Sequence, residues 1–153
     1  MRLGLLGKKL EHSFSPAYFA EKFKSEGIDA TYQALPLEDI RDFKTWLNQY
    51  QLDGFNVTIP YKESILPHLN GLDRTAAEIG SVNVVKSYNG KLWGFNTDYL
   101  GFANSISPYL KAGDKALVFG TGGSSKAIGY ALSKMGIEYT KVSRKDTGYM
   151  VYD

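Results

Sequence analysis

The chain has 153 residues, 43% hydrophobic and 14% aromatic, with 18 Lys and Arg against 16 Asp and Glu and no cysteine. A net charge of +2 without a basic block argues against a nucleic-acid partner, and the lack of thiols excludes disulfides, thiolate metal sites and a cysteine nucleophile. His12 and His68 share no ligand-like spacing, no apolar run approaches the ~18 residues of a membrane span, and MRLGLLGKKL is too short an apolar core for a signal peptide, so a cytoplasmic protein is expected.

Arg2 to Gly7 reads as a first strand. A helix should open at Ser15-Pro16, a hydroxyl cap followed by proline, carry Phe19 and Phe23 as its apolar stripe, and end at Gly27. Tyr32 to Leu35 reads as strand, and Ile40, Phe43, Trp46 and Leu47 recur at helical spacing over about Glu38 to Tyr50. GFNVTIPYK, Gly54 to Lys62, begins as a strand with Phe55, Val57 and Ile59 on one face and Asn56 and Thr58 on the other. Pro60, lacking an N–H, ends it, and Lys62 follows. An amide, a hydroxyl and an ammonium thus arrive together at a strand terminus, a set suited to gripping a hydroxyl-rich small molecule beside a proton donor.

Short helices are expected over Tyr61 to Leu69 and Asp73 to Ile79. Ser81 to Tyr88 and Lys91 to Phe95 should pair around the turn dipeptide Asn89-Gly90. Thr97 or Asp98 should cap a helix running to about Leu110. Beyond Ala112-Gly113-Asp114, the apolar strand KALVFG leads into GTGGSSKA, a helix with the stripe Ala127, Ile128, Ala131, Leu132 and Met135, and a strand from Ile137 to Ser143, which makes a βαβ unit. Strand–helix alternation throughout argues an α/β fold.

Gly120-Thr121-Gly122-Gly123 lies between an apolar strand and a helix, the context in which a glycine-rich turn can bring a helix N-terminus up to a pyrophosphate. A Walker A loop fails at two positions, with Ser125 for its second glycine and Ala127 for its magnesium-binding hydroxyl. A tight turn without a ligand is the other reading. Ser143, Arg144 and Lys145 follow the second strand, where an acid would serve NAD; a hydroxyl and two cations suit the 2′-phosphate of NADP, against a plain surface basic pair.

Three further segments carry polar groups at element ends. Ser13 and Ser15 precede or open a helix, where a carboxylate is favoured; an N-cap is the alternative for Ser15. Asn83 lies early in a strand, and Asn96-Thr97-Asp98 sits at a strand-to-helix turn, where Asp98 reads equally as a cap. Taken together and in this order, SFSP, NVTIPYK, GSVNVV, NTD and GTGGSSKA resemble the shikimate dehydrogenase family from residue 3 to about residue 145.

The resemblance implies an N-terminal α/β substrate-binding domain with a mixed sheet over residues 1–100. Residues 101–153 would then supply a connecting helix and the first part of a Rossmann domain for NADP. It implies that Ser13 and Ser15 bind the carboxylate of shikimate. Asn56, Thr58, Asn83 and Asp98 would hold its ring hydroxyls, and Lys62 and Asp98 would form the catalytic pair. Gly120, Gly122 and Gly123 would cradle the pyrophosphate with Thr121 and Ser124 in the same turn, and Ser143, Arg144 and Lys145 would meet the 2′-phosphate. The chemistry is consistent: hydride transfer to a ring ketone builds negative charge on oxygen, which a lysine ammonium stabilises and protonates while a carboxylate orients the lysine.

The implied reaction is the reversible NADPH-dependent reduction of 3-dehydroshikimate to shikimate, by a monomer or homodimer. An NAD-using quinate/shikimate dehydrogenase and a non-catalytic shikimate-binding fragment are the alternatives. Two features depart from the family. Tyr99 follows NTD where glycine is frequent. GYMVYD continues poorly from Arg144-Lys145, as though the sequence were truncated or joined two regions that a complete protein keeps apart.

Overall fold

The computed structural model describes residues 1–143 and 150–151. Its larger part is a six-stranded mixed sheet. The strands are β1 (Arg2–Gly7), β2 (Thr31–Pro36), β3 (Gly54–Val57), β4 (Gly71–Leu72), β5 (Val84–Tyr88) and β6 (Lys91–Phe95), in the order β2-β1-β3-β5-β6-β4. β1 runs parallel to β2 and β3, β5 is antiparallel to β3 and β6, and β4 is parallel to β6. In this topology the C-terminal ends of β1, β3 and β6 and the N-terminal end of β5 meet at one margin of the sheet. The register fixes the meeting point: Leu6 faces Val57, Asn56 faces Val84, and Val84 faces Phe95.

Alternation along the strands divides the two faces. Leu6, Leu35, Phe55, Val57, Val85 and Leu92 point into the main core. Helices α2 (Phe43–Tyr50), α3 (Tyr61–Ser64) and α4 (Arg74–Ile79) contribute Phe43, Trp46, Tyr61 and Ala76 to it. Phe43 and Trp46 have ring centroids 6.0 and 5.3 Å from that of Phe55. The opposite face is covered by α1 (Ser15–Glu26), whose Phe19 stacks on Tyr32 with centroids 4.4 Å apart.

The smaller sheet is all parallel, β7 (Lys115–Phe119), β8 (Glu138–Ser143) and β9 (Met150–Val151) in that order. Helix α5 (Asp98–Ile106) leads towards it, and α6 (Gly123–Lys134) crosses from β7 to β8, with Ala127, Ala131 and Leu132 buried along one side. Gly120, at the turn from β7 into α6, has φ +103°, a conformation that favours glycine.

The expected elements form with five revisions. The helix over Glu38 to Tyr50 divides into a 3₁₀ turn, Ile40–Asp42, capped by Asp39, and α2. The Tyr61 to Leu69 helix divides likewise into α3 and a 3₁₀ turn, Leu66–His68. The strand in NVTIPYK stops at Val57, and β5 starts at Val84 rather than Ser81. Ser15 is the first residue of α1 and makes no cap bond, the cap position being Phe14.

Candidate functional site

The meeting of strand ends gathers the polar residues of four segments. Lys62, on the short α3 just beyond β3, donates from Nζ to Asp98 Oδ2 at 2.7 Å, with 14% and 28% of the two side chains exposed. Asp98 opens α5, yet its carboxylate is not a cap: Oδ1 accepts from Asn83 Nδ2 at 2.8 Å. The capping role falls to buried Asn96, whose Oδ1 accepts from Asp98 N at 3.0 Å while its Nδ2 donates to Ser81 O at 2.9 Å. Asn83 is held in turn by Thr97, whose N–H donates to Asn83 Oδ1 at 2.7 Å. The Asp98 carboxylate is therefore fixed from both sides, and the ammonium it holds is aimed.

The second sheet delivers the glycine-rich turn to the same place. Lys62 Nζ also donates to Ser124 Oγ at 3.1 Å, which leaves its third N–H direction for a ligand. A cavity of about 390 Å³ is lined by Pro60, Lys62 and Glu63 on one side and by Gly120, Gly122, Gly123 and Ser124 on the other. The turn and the N-terminus of α6 fit a pyrophosphate. Gly122 and Gly123 open the helix, and a methyl on Gly120 or Gly122 would meet no atom within 4 Å, so backbone N–H groups can be approached closely. Thr121 is exposed on this turn. Ser143 is buried at the end of β8, and Arg144 and Lys145 lie outside the described residues.

On the other side of the Ile59–Pro60 turn, Ser13, Ser15 and Thr58 line a second cavity, of about 570 Å³, with Lys9 and His12 at its wall. Asn56, two residues before Thr58, lines with Tyr32 a neighbouring cavity of about 460 Å³. Its Nδ2 donates to Asn83 O at 3.3 Å and its Oδ1 accepts from Tyr32 Oη at 2.8 Å. Burial pushes the Tyr32 phenol up to about 12, an effect the nearby Ser15 hydroxyl partly offsets.

The two sheets are clasped by α6. Lys126 pairs with Glu63 at 2.5 Å, and Tyr130 Oη donates to Glu78 at 2.9 Å. The Tyr130 ring stands edge-on to Tyr99 at 5.3 Å between centroids. Tyr99, the departure from the family's frequent glycine, thus serves as part of the joint. Among the described residues no group of acidic or histidine side chains could hold a metal ion.

Sequence reasoning missed Tyr32, Asn96 and Thr97 as members of this network. Tyr32 could have been found by alternation: it falls on the same sheet face as Asn56, which pairs a phenol with an amide.

This architecture defines a two-part α/β protein in which a polar pocket at the margin of a mixed sheet faces a dinucleotide-type glycine turn. The chain belongs to the shikimate dehydrogenase family, residues 5–85 matching the model of the shikimate dehydrogenase substrate binding domain. It is 40% identical over 138 residues to the shikimate dehydrogenase (NADP(+)) of Staphylococcus aureus strain MRSA252, an alignment covering 88% of this chain and 52% of that one. Among solved structures it superposes on shikimate dehydrogenase 1 from Peptoclostridium difficile with a TM-score of 0.88 at 33% identity, over 99% of this chain and 60% of that one. It also superposes on the Thermus thermophilus shikimate 5-dehydrogenase in complex with NADP(H) and shikimate, with a TM-score of 0.84 at 32% identity, over 100% and 63%. The chain spans about half the length of the curated relatives it matches.

Proposed function

We propose that this chain carries the substrate-binding part and the opening of the nucleotide-binding part of a shikimate dehydrogenase, residues 1–100 and 101–153 respectively. The reaction is the NADP-linked interconversion of 3-dehydroshikimate and shikimate. The observation that carries the reading is the Lys62–Asp98 pair, 2.7 Å long, set between a hydroxyl-lined cavity and the glycine turn, with Ser124 3.1 Å from the same ammonium.

In this reading Ser13 and Ser15 take the carboxylate of the substrate, and Thr58, Asn56, Asn83 and Asp98 take its hydroxyls. Gly120 to Ser124 hold the pyrophosphate, with Ser143, Arg144 and Lys145 on the side of the 2′-phosphate. The bound nicotinamide supplies or accepts the hydride. Lys62 places its remaining N–H on the substrate oxygen, stabilises charge that develops there and passes a proton to it; in the oxidative direction the lysine accepts that proton. Asp98 holds the ammonium in position through the 2.7 Å contact. No helix among the described residues is long and apolar enough to cross a membrane. The proposal includes a cytoplasmic protein with a small-molecule substrate and no nucleic-acid partner, acting as a monomer or homodimer.

The test is the nicotinamide absorbance change with shikimate and NADP, for wild type and Lys62→Ala, with NAD and quinate as comparison arms. The expected result is NADP-linked turnover that Lys62→Ala abolishes. A variant that keeps a near-full rate would remove Lys62 from the chemistry. Calorimetric binding of shikimate without any nicotinamide reduction would assign the chain to a non-catalytic binding role.

A further inference from the structure

A series of hydrogen bonds runs from β2 to the glycine turn, and its first member is no predicted site residue. It passes from Tyr32 to Asn56, to Asn83, to Asp98, to Lys62 and finally to Ser124 on the glycine turn. Its polarity is set at one point. The main-chain oxygen of Asn83 can only accept, so Asn56 must turn Nδ2 towards it, at 3.3 Å. Asn56 Oδ1 then faces Tyr32, and the phenol must spend its one proton there, at 2.8 Å. The Tyr32 oxygen is left with acceptor capacity alone.

We propose that Tyr32 is a positioning residue of the substrate site, its hydroxyl bridging from β2 to Asn56 on β3 so that Asn56 presents its second amide N–H as a fixed donor to a ligand oxygen. The inference rests on the reading of the site as a pocket for a hydroxylated cyclic carboxylate, and it adds the residue that orients that pocket's amide. Tyr32 itself is suited to hold still: it is half-buried in β2 and its ring is stacked on Phe19. Without the phenol oxygen, the Asn56 amide loses the partner that distinguishes its two ends.

The experiment is calorimetric titration of shikimate into the 153-residue protein and its Tyr32→Phe, Asn56→Ala and double variants, each first checked for fold by circular dichroism and thermal unfolding. Phenylalanine keeps the stacking on Phe19, so Tyr32→Phe removes the oxygen alone. It is expected to weaken shikimate binding about tenfold, the range of one well-placed hydrogen bond, and to change affinity less than about twofold when Asn56 is already alanine, because the two residues act as a unit. Wild-type affinity in Tyr32→Phe, or losses that simply add in the double variant, would overturn the bridge while leaving the site intact. Failure of the wild type to bind shikimate would overturn the substrate reading, and the bridge with it.

Discussion

Replacing Gly123 with alanine probes how closely the two sheets are drawn together around the lysine. A methyl at this position would lie 2.5 Å from Ser81 Oγ and 2.9 Å from Lys62 Cβ. Carbon–carbon contact is comfortable only at about 3.5–4.0 Å, so one side must retreat by more than half an ångström, on the order of 0.6–1 Å. Neither neighbour yields easily: Ser81 is fully buried, and Lys62 Cβ is attached directly to the α3 backbone. Overpacking of this kind costs about 1–3 kcal/mol. Helix propensity works the other way by up to about 1 kcal/mol, which leaves a net loss of roughly 1–2 kcal/mol. The same retreat stretches the 3.1 Å bond between Lys62 and Ser124 beyond useful range. The assay is thermal unfolding with Gly122→Ala alongside, since a methyl on Gly122 meets no atom within 4 Å. At about 2–4 °C per kcal/mol for a chain of this size, Gly123→Ala should melt several degrees low and Gly122→Ala within about 2 °C of wild type. A Gly123→Ala protein that melts at or above the wild-type temperature would refute the close approach.

Ser81 Oγ is buried without a hydrogen-bond partner among the described residues, so Ser81→Ala should raise stability by about 1 kcal/mol in urea unfolding; a clear loss would show that the hydroxyl has a partner after all. Asp73 caps α4 by accepting from Thr75 N at 3.1 Å and Ala76 N at 2.9 Å, and Asp73→Ala should lose about 1 kcal/mol in the same measurement. The folded state holds the Tyr32 phenol near 12, above its ordinary value of 10.0, by burial. The fold therefore keeps a proton that the unfolded chain gives up, and this contribution is full below about 10 and lost as the pH rises towards 12. Urea midpoints across that window should fall less steeply for Tyr32→Phe than for wild type; parallel profiles would contradict the shift.

Much of this was legible because the relevant signals are local. Alternation in NVTIPYK placed Asn56 and Thr58 away from the core, Asn89-Gly90 marked a hairpin, with φ of 50° and 71° at the two positions, and Gly27 marked a helix end. What escaped is set by distance along the chain. β4 is two residues long and exists because Gly71 and Leu72 pair with Trp93 and Gly94, which no local pattern announces. Ser15 read as a cap because a hydroxyl before proline usually is one. The helix instead starts at Ser15 itself, with Phe14 in the cap position. Tyr32 read as strand apolarity, and its polar end matters only once β1 has brought β2 and β3 to either side of itself.

The clasp has a mechanical reading. Gly123 and Tyr130 belong to one uninterrupted helix, and Tyr130 rests against Tyr99 and Glu78. Seven residues of helix make an arm of about 10 Å. If Tyr130 is the fulcrum, a tilt of only ~5° moves the glycine turn by ~1 Å over that length, enough to make or break the contact between Ser124 and the lysine. The glycine turn and the joint are thus opposite ends of one lever, so in the proposed reading the grip on a phosphate and the aim of the ammonium are geared to each other.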